Sequence, residues 1–464
     1  MKVLLVNPPM PRGYYNKEFY LPLSLLYLGA VLKRNGDEPK ILDFKIFTDK
    51  HVDSNAEFFD DKLMEAVNDF KPELIGFGSL FSGEFPNALN FSRLVKSKYS
   101  GIPIVFGGAH ATIFAGEILK NCPSIDFVVI GEGEEAIVQL VNMLKGGQRS
   151  FESIDGFAFR NGSEIVVNPK TRYIENIDSL PFPAFDIVDI KDYFIDTSRW
   201  HNPKNLPINT SIPIISSRSC PNRCTFCSMY RIMGPKWRAR SPKNVVDELE
   251  FLYREYNHKH FSFMDDNFTL NRNRAIEICD LILERKLDIQ FETPNGLSIN
   301  TLNEEVLDKL VAAGMVRTYL AIESGCDYIR NKIMRKNLPR EKILEVAKLI
   351  KKYKNLNIAA FFIMGMPEDT TETLMDTYKM IKEINVDRVF LMNIVPFPGT
   401  EVFEQAKKDN LLIDTDPDKL YLSDDRYLTN YGKFFLKPYK VELKNLQDFR
   451  ELCETLPCVK KQPT

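Results

Sequence analysis

The sequence predicts an α/β protein built on two successive, mostly parallel sheets. Three observations predict it. Short apolar runs alternate with helical patterns along most of the chain; the alternation pauses over a Pro-rich stretch and restarts; and three cysteines fall within eight residues of each other just after the restart. At 464 residues the chain has room for two or three domains. Its 61 Lys and Arg balance 63 Asp and Glu, which argues against electrostatic wrapping of nucleic acid, so no nucleic-acid partner is expected. No apolar run approaches the roughly 20 residues that span a bilayer. The opening MKVLLVNPP is too short for a secretory apolar region and reads as a first strand. The expected location is the cytoplasm.

Residues 1–145 read as a five-stranded, doubly wound Rossmann-like domain. The strand-like runs are Val3–Val6, Ile41–Phe44, Leu74–Leu80, Ile104–Gly108 and Phe127–Gly131, separated by helical stretches such as Leu23–Asn35, Lys62–Phe70 and Ala88–Lys98. Strand–helix alternation implies right-handed crossovers and a sheet covered on both faces. Ligands of such sheets bind at the carboxyl ends of the strands. Four segments lie there: Asn7-Pro8-Pro9, Ser79-Leu80-Phe81-Ser82, Gly107-Gly108-Ala109-His110-Ala111-Thr112 and Gly131-Glu132-Gly133-Glu134. The Gly107-Gly108 pair is expected to let the backbone approach a flat ligand, because no Cβ intervenes.

Residues 146–205 read as a linker, with a hairpin turning at Asn161-Gly162 and the extended Leu180-Pro-Phe-Pro-Ala-Phe. Between 206 and 399 six strand-like runs return, at Ile212–Ser216, His260–Met264, Ile289–Glu292, Thr318–Ile322, Ile358–Met364 and Arg388–Val395. The helices between them are expected near Val245–Glu255, Arg274–Arg285, Glu304–Ala313, Glu341–Lys351 and Thr371–Ile384, the last opened by a capping box at Asp369-Thr-Thr-Glu372. Six βα units suggest a partial TIM-type (β/α)6 barrel with its active face at the strand C-termini. Residues 400–464 read as a short, mainly helical region with tyrosines at 421, 427, 431 and 439.

The chemistry is concentrated in Ser216-Ser-Arg-Ser-Cys220-Pro-Asn-Arg-Cys224-Thr-Phe-Cys227, a C-x3-C-x2-C loop just past the first strand of the second domain. Three thiolates at this spacing can take three corners of a cubane iron–sulfur cluster and leave one iron open to a substrate or cofactor. A structural zinc site is the alternative. It would need a fourth ligand, and His201, His258, His260 and Cys279 lack the paired spacing of a zinc finger or ribbon. Cys122, Cys279, Cys326, Cys453 and Cys458 read as incidental thiols.

Cys220, Cys224 and Cys227, with Phe226 before the third, resemble the signature C-x3-C-x-aromatic-C of radical S-adenosylmethionine (SAM) enzymes. The N-terminal KVLLVNPP, the stretch from Leu21 to Leu28 and Gly-Gly-Ala-His-Ala-Thr resemble the cobalamin-binding domain that precedes the barrel in the B12-dependent branch of that family. The resemblance implies a [4Fe–4S] cluster held by the three cysteines, SAM chelated by the open iron and cleaved to a 5′-deoxyadenosyl radical, and bound cobalamin. It further implies SAM contacts from Asp265 and Asp266, in place of the family's Gly-Gly-Glu segment, and from Glu323 and Gly365, with Asn295 a weaker candidate. For cobalamin it implies Asn7, Pro8, Ser79, Ser82, Gly107, Gly108, His110, Thr112, Gly131, Glu132 and Gly133. The Asp-x-His-x-x-Gly segment that supplies a lower axial histidine in cobalamin mutases is absent, which suggests cobalt with a weak lower ligand or none.

The implied activity is methylation of an unactivated carbon through methylcobalamin. Two alternatives stand beside it: a B12-dependent oxidative cyclase or ring-rearrangement enzyme without methyl transfer, and a non-catalytic corrinoid or metal sensor. The expected partners are a small-molecule substrate and an electron donor such as flavodoxin or ferredoxin.

Overall fold

The computed structural model describes residues 1–10, 20–47, 56–80, 82–148, 150–193, 201–207, 210–423 and 433–459. Phe81, Tyr427 and Tyr431, singled out in the sequence, lie outside the described residues. The chain forms two compact units. One comprises Met1–Asp196 with Arg231–Gly234 and Asp416–Asn430; the other comprises Thr197–Tyr230, Pro235–Thr415 and Tyr431–Thr464.

In the first unit the alternation runs β1 (Lys2–Asn7), α1 (Leu23–Arg34), β2 (Glu38–Asp43), α2 (Ala56–Phe70), β3 (Leu74–Gly78), α3 (Phe85–Lys98), β4 (Ile104–Gly107), α4 (Ala109–Ile113), α5 (Ala115–Asn121), β5 (Phe127–Val129) and α6 (Glu134–Lys145). Val3, Leu4, Leu5 and Val6 of β1 are all buried, without alternation, because helices cover both faces of a central parallel strand. β1 pairs in parallel with both β2 and β3, so the strand order reverses between β1 and β3. That is the topological switch point at which open α/β sheets bind ligands.

The sheet has seven strands, in the order β2-β1-β3-β4-β5-β6-β7, where five were expected. The additional two are the hairpin expected in the linker, β6 (Phe157–Asn161) and β7 (Glu164–Asn168), joined antiparallel to β5. Gly162, at φ 62°, takes the first central position of its two-residue turn. The hairpin belongs to the sheet because Phe157 and Phe159 are fully buried, Phe157 stacking on Phe127 at 5.5 Å between ring centroids.

In the second unit the elements are β8 (Ile212–Ile214), β9 (Ser217–Arg218), the short α7 (Met229–Ile232, whose last two residues count with the first unit), β10 (Arg238–Ala239), α8 (Pro242–Glu255), β11 (His260–Phe263), α9 (Arg272–Glu284), β12 (Gln290–Leu297), α10 (Glu304–Ala312), β13 (Met315–Glu323), α11 (Arg340–Ile350), β14 (Asn357–Met364), α12 (Thr371–Ile384), β15 (Arg388–Asn393), α13 (Glu401–Lys408) and α14 (Leu443–Glu454). Six strands form one sheet ordered β15-β14-β13-β12-β11-β8, every neighbouring pair parallel, which is the predicted partial barrel. Side-chain caps start its helices: Ser241, Asn271, Asn303, Thr370 and Thr400 each accept a backbone N–H from the first turn. The capping box of α12 is shifted by one residue from the predicted one. It pairs Thr370 with Thr373, because the Asp369 carboxylate is taken by the N–H groups of Gly365 and Met366.

The edge strand β15 is covered by the C-terminal segment. The Val389 N–H donates to the Cys458 carbonyl at 2.7 Å, and the buried Arg450 of α14 donates to the Leu391 carbonyl at 3.2 Å and to Asn393. An edge so occupied cannot template pairing with another chain.

The Gly107-Gly108 pair yields a sharp test. A Cβ on Gly108, at φ 104°, would stand 2.3 Å from the Ser79 carbonyl oxygen, whereas one on Gly107 would meet only Val129 at 4.0 Å. Gly108→Ala is expected to cost about 2–4 kcal/mol, and Gly107→Ala well under half of that. Thermal unfolding of the two cofactor-free variants checks this, and equal midpoints would refute it.

Candidate active site

The cysteine loop leaves β8 and β9 and is held from behind. Its Thr225 N–H donates to the Met334 carbonyl at 3.3 Å and its hydroxyl to the Ile333 carbonyl at 2.9 Å, while the Thr225 carbonyl accepts the Val402 N–H at 3.2 Å. Phe226, the aromatic before the third cysteine, packs into an apolar cluster of Ile329, Met334, Met366, Ile394, Val402 and Leu436. Residues of the loop therefore do different work: Thr225 and Phe226 anchor it, and the flanking cysteines are left as free thiols.

Cys224 is buried, Cys220 and Cys227 half-buried. Burial pushes the Cys227 thiol up to about 12, opposed by the Met229 backbone N–H, with Cys224, Asp266 and Cys220 adding repulsion. Burial also raises Cys224, opposed by the Lys336 ammonium. Cys220 also raises Cys224, so each of the three thiols is felt by the others. Such thiols ionise when a metal centre takes them up. Among the described residues no group of three or more His, Cys, Asp or Glu is gathered to hold a single metal ion. Three free thiols on one anchored loop fit three corners of a cubane cluster.

The acids at the strand ends separate into two kinds. Asp265, at the end of β11, is 2% exposed and fully engaged: it accepts the Ser216 N–H at 3.1 Å, the Ser216 hydroxyl at 2.7 Å and the Ser217 hydroxyl. It ties the exit of β8 to the exit of β11, and burial raises its pKa. Asp266 is half-buried beside the cysteines. Its pKa is pushed up to about 6 by burial and by Asp265, against the Ser219 N–H. Glu323 ends β13 at φ 71°, a strained backbone for a non-glycine residue, and pairs with Lys336 at 2.8 Å. Asn295 is exposed and donates to the Met264 carbonyl at 2.9 Å. Gly365, at φ 85°, donates its N–H to Asp369 at 2.9 Å, and burial raises Asp369 to about 6.

In the first unit the predicted residues also fall into local groups. His110 is buried between Phe85 and Phe114, with ring centroids 4.5 and 5.0 Å away. Its Nε2 faces the Tyr421 carbonyl at 2.9 Å and must carry the proton, which leaves Nδ1 to accept from the Ser82 hydroxyl at 3.0 Å. Burial lowers its pKa to about 4. With both nitrogens engaged, His110 offers no axial ligand. Thr112 accepts the Gly131 N–H at 2.9 Å, and Glu132 accepts the Ile174 N–H at 2.9 Å. Gly133 opens α6 and Ser79 donates its N–H to the Gly107 carbonyl at 2.8 Å. The Pro8 ring is buried after Asn7. The Cβ that Gly108 lacks would strike Ser79, so the fold itself requires this glycine; Gly107 keeps open space. Leu80, just past the end of β3, is 55% exposed. An open glycine and an exposed leucine near the switch point fit a large, flat, apolar-faced ligand.

Sequence reasoning missed Asp43, Arg330 and Lys336, and it read Asn267 only as the end of the Asp265-Asp266-Asn267 segment. Asp43 is a fully buried acid at the end of β2 that accepts from Asn7 at 2.9 Å, from the Lys45 N–H at 2.9 Å and from the Tyr193 hydroxyl at 3.1 Å. An acid inside an apolar strand run was the available signal. The other three lie in turns whose partners are distant in sequence or reached only through the fold.

A three-thiol loop on a partial barrel, preceded by a doubly wound ligand-binding sheet, defines a cluster-dependent α/β enzyme. Comparison with known proteins agrees. The family model of the Radical SAM superfamily matches residues 214–381, and that of the B12 binding domain matches residues 17–141. The chain is 31% identical to an uncharacterized methyltransferase of Pyrococcus horikoshii, over 89% of this chain and 84% of the relative. It is 25% identical to the anaerobic magnesium-protoporphyrin IX monomethyl ester cyclase of Rubrivivax gelatinosus, over 99% and 82%. A radical SAM methyltransferase from Kitasatospora setae, solved with cobalamin and a [4Fe–4S] cluster, superposes with a TM-score of 0.75 at 16% identity, covering 100% of this chain and 91% of that one. The chain belongs to the B12-binding branch of the radical SAM superfamily, and its cofactors are a [4Fe–4S] cluster, SAM and cobalamin. No helix among the described residues is long and apolar enough to cross a membrane.

The buried Asp43 makes a pH prediction. Its pKa of about 6 lies above the ordinary carboxyl value of 3.8. The folded state therefore holds the proton more tightly than the unfolded chain. The associated stability is fully present below about pH 4 and is lost as pH rises through 6. Asp43→Asn keeps acceptors for Asn7 and Lys45 without the charge. It is expected to match the wild type near pH 4 and to exceed it by about 2–3 kcal/mol at pH 7.5. Urea midpoints at the two pH values check this; a pH-independent difference would contradict it.

Proposed function

We propose that this enzyme methylates an unactivated carbon of a small-molecule substrate. The observation that carries the reading is the anchored loop of three free thiols at the exit of β8 in a chain whose first unit matches the B12 binding domain. When bound, the cluster with SAM supplies a 5′-deoxyadenosyl radical for hydrogen abstraction, and cobalamin supplies a transferable methyl group. Methylation is favoured over cyclisation because the methyltransferase relative is 31% identical and the cyclase relative 25%.

The chain's own residues bind and orient. Cys220, Cys224 and Cys227 hold the cluster. Asp266 and Glu323 are the acids near the thiols, electrostatically coupled to Cys227 and Cys224, and present carboxylates to the polar methionyl and ribose groups of SAM. Gly365 leaves room for a flat base, and Asn295 contributes a side-chain amide. In the first unit Gly107, Leu80 and the ends of β1 and β3 would receive the corrin, while both His110 nitrogens stay engaged by Ser82 and Tyr421. An electron donor of the flavodoxin or ferredoxin type reduces the cluster, and the free thiols suit a reducing cytoplasm.

The test is anaerobic reconstitution with iron, sulfide and hydroxocobalamin, then incubation with methyl-deuterated SAM, reductant and a small-molecule extract. The expected result is a charge-transfer absorbance that Cys220→Ala loses, 5′-deoxyadenosine, and a labelled methyl group in a new product. A product that has lost hydrogen and carries no label would favour the cyclase reading. Failure of the wild type to take up a cluster would sink both.

A further inference from the structure

The N–H groups that face the three thiols are not equivalent. Cys227 receives a backbone N–H from Met229, and Cys224 is met by its own backbone N–H. Cys220 is met by a side chain: the Asn267 Nδ2 lies 3.8 Å from its Sγ, within hydrogen-bonding reach of sulfur. Asn267 follows Asp265-Asp266 past the end of β11 and is 3% exposed. Its Oδ1 has no hydrogen-bond partner among the described residues. A buried amide with its oxygen unpaired is an unfavourable placement. The hydrogen bond to sulfur offsets part of that cost. The amide is held in reach of Cys220 because Asp265, two residues earlier, is locked to Ser216 and Ser217.

A hydrogen bond to a cluster-ligating sulfur stabilises the more electron-rich, reduced state, and so raises the reduction potential. We propose that Asn267 is a positioning residue that sets the reduction potential of the cluster through its N–H···S contact with Cys220. The inference rests on the radical SAM reading above. The two backbone donors are out of reach of any side-chain change short of proline, which makes Asn267 the position at which this tuning is most directly varied.

Wild type, Asn267→Leu and Asn267→Asp are reconstituted anaerobically. Each is titrated spectroelectrochemically without substrate, with the reduced cluster followed by electron paramagnetic resonance. Leu keeps the volume and removes the donor; Asp keeps the shape and removes the donor but adds a negative charge that itself lowers the potential, so the uncharged variant carries the test. Both variants are expected to hold wild-type iron and sulfide and to be harder to reduce, by about tenfold in the reduction equilibrium, ~59 mV for one electron. Equal potentials in the three proteins would overturn the proposal. So would loss of the cluster from both variants with unchanged far-ultraviolet circular dichroism, since Asn267 would then serve assembly. If Asn267→Leu does not fold, Asn267→Ala, which also removes the donor without adding a charge, takes its place. A wild type without a cluster would count against the proposed function instead, so the two failures are distinguishable.

Discussion

The geometry of the cysteine loop depends on one buried guanidinium. Arg330 is 0% exposed and lies in the wide helical turn Tyr328–Ile333 after β13. Its Nε donates to the Leu338 carbonyl at 2.8 Å, one terminal nitrogen to the Ser324 carbonyl at 2.7 Å, and the other to Asp327. A planar fork with fixed donors closes the ends of the 324–338 segment on each other, which a lysine could not reproduce. Burial pulls the Arg330 pKa down, yet from so high an ordinary value that the group stays charged and the three acceptors stay engaged. The closed segment then serves the site twice. Its Ile333 and Met334 carbonyls hold Thr225 between two cysteines, and its Lys336 holds Glu323. The thiols and the acid are thus fixed by a single element, and a π-type turn at a functional site is where such turns are usually found.

The first unit meets the same requirement by other means. Its strand ends are consumed by short polar links, Asn7 to Asp43, Thr112 to Gly131 and Ser82 to His110, so few side chains remain to grip a ligand. What remains is shape: an open glycine, an exposed leucine and a switch point between β1 and β3. A site of that kind favours a broad, flat ligand held by area over a small ion held by charge.

Much of this was legible in the sequence because parallel strands buried on both faces are continuous apolar runs. All six strands of the second unit's parallel sheet and all five parallel strands of the first overlap their runs, and α12 begins and ends at Thr371 and Ile384 as its pattern indicates. The hairpin stands at its expected turn, but its place in the sheet did not show, because an Asn-Gly turn announces a hairpin without naming its partner strand. That choice was made by the burial of Phe157 and Phe159 beside Phe127. The cysteine spacing carried its own chemistry. The residues that hold it did not show: Arg330 acts across its own turn, and Lys336 meets Glu323 thirteen positions away, at no recognisable spacing.

Acids at strand ends were the least legible feature, and the reason is physical. Where a parallel strand ends, the chain turns sharply and leaves backbone N–H groups without a ladder partner. A carboxylate is the strongest acceptor available for them. Asp43 takes the Lys45 N–H, Asp265 the Ser216 N–H, and Asp369 those of Gly365 and Met366, all at 2.9–3.1 Å and all inside the protein. A strand-end acid is therefore a ligand candidate only where its turn is satisfied by something else. Glu323 meets that condition: its carboxylate faces a lysine and no turn N–H, and its backbone is held at a positive φ to keep it there. Asp266 meets it in part, with one N–H from Ser219 and a charge that Cys227 feels. This separates the two acids left as ligand candidates from the three that hold the scaffold still.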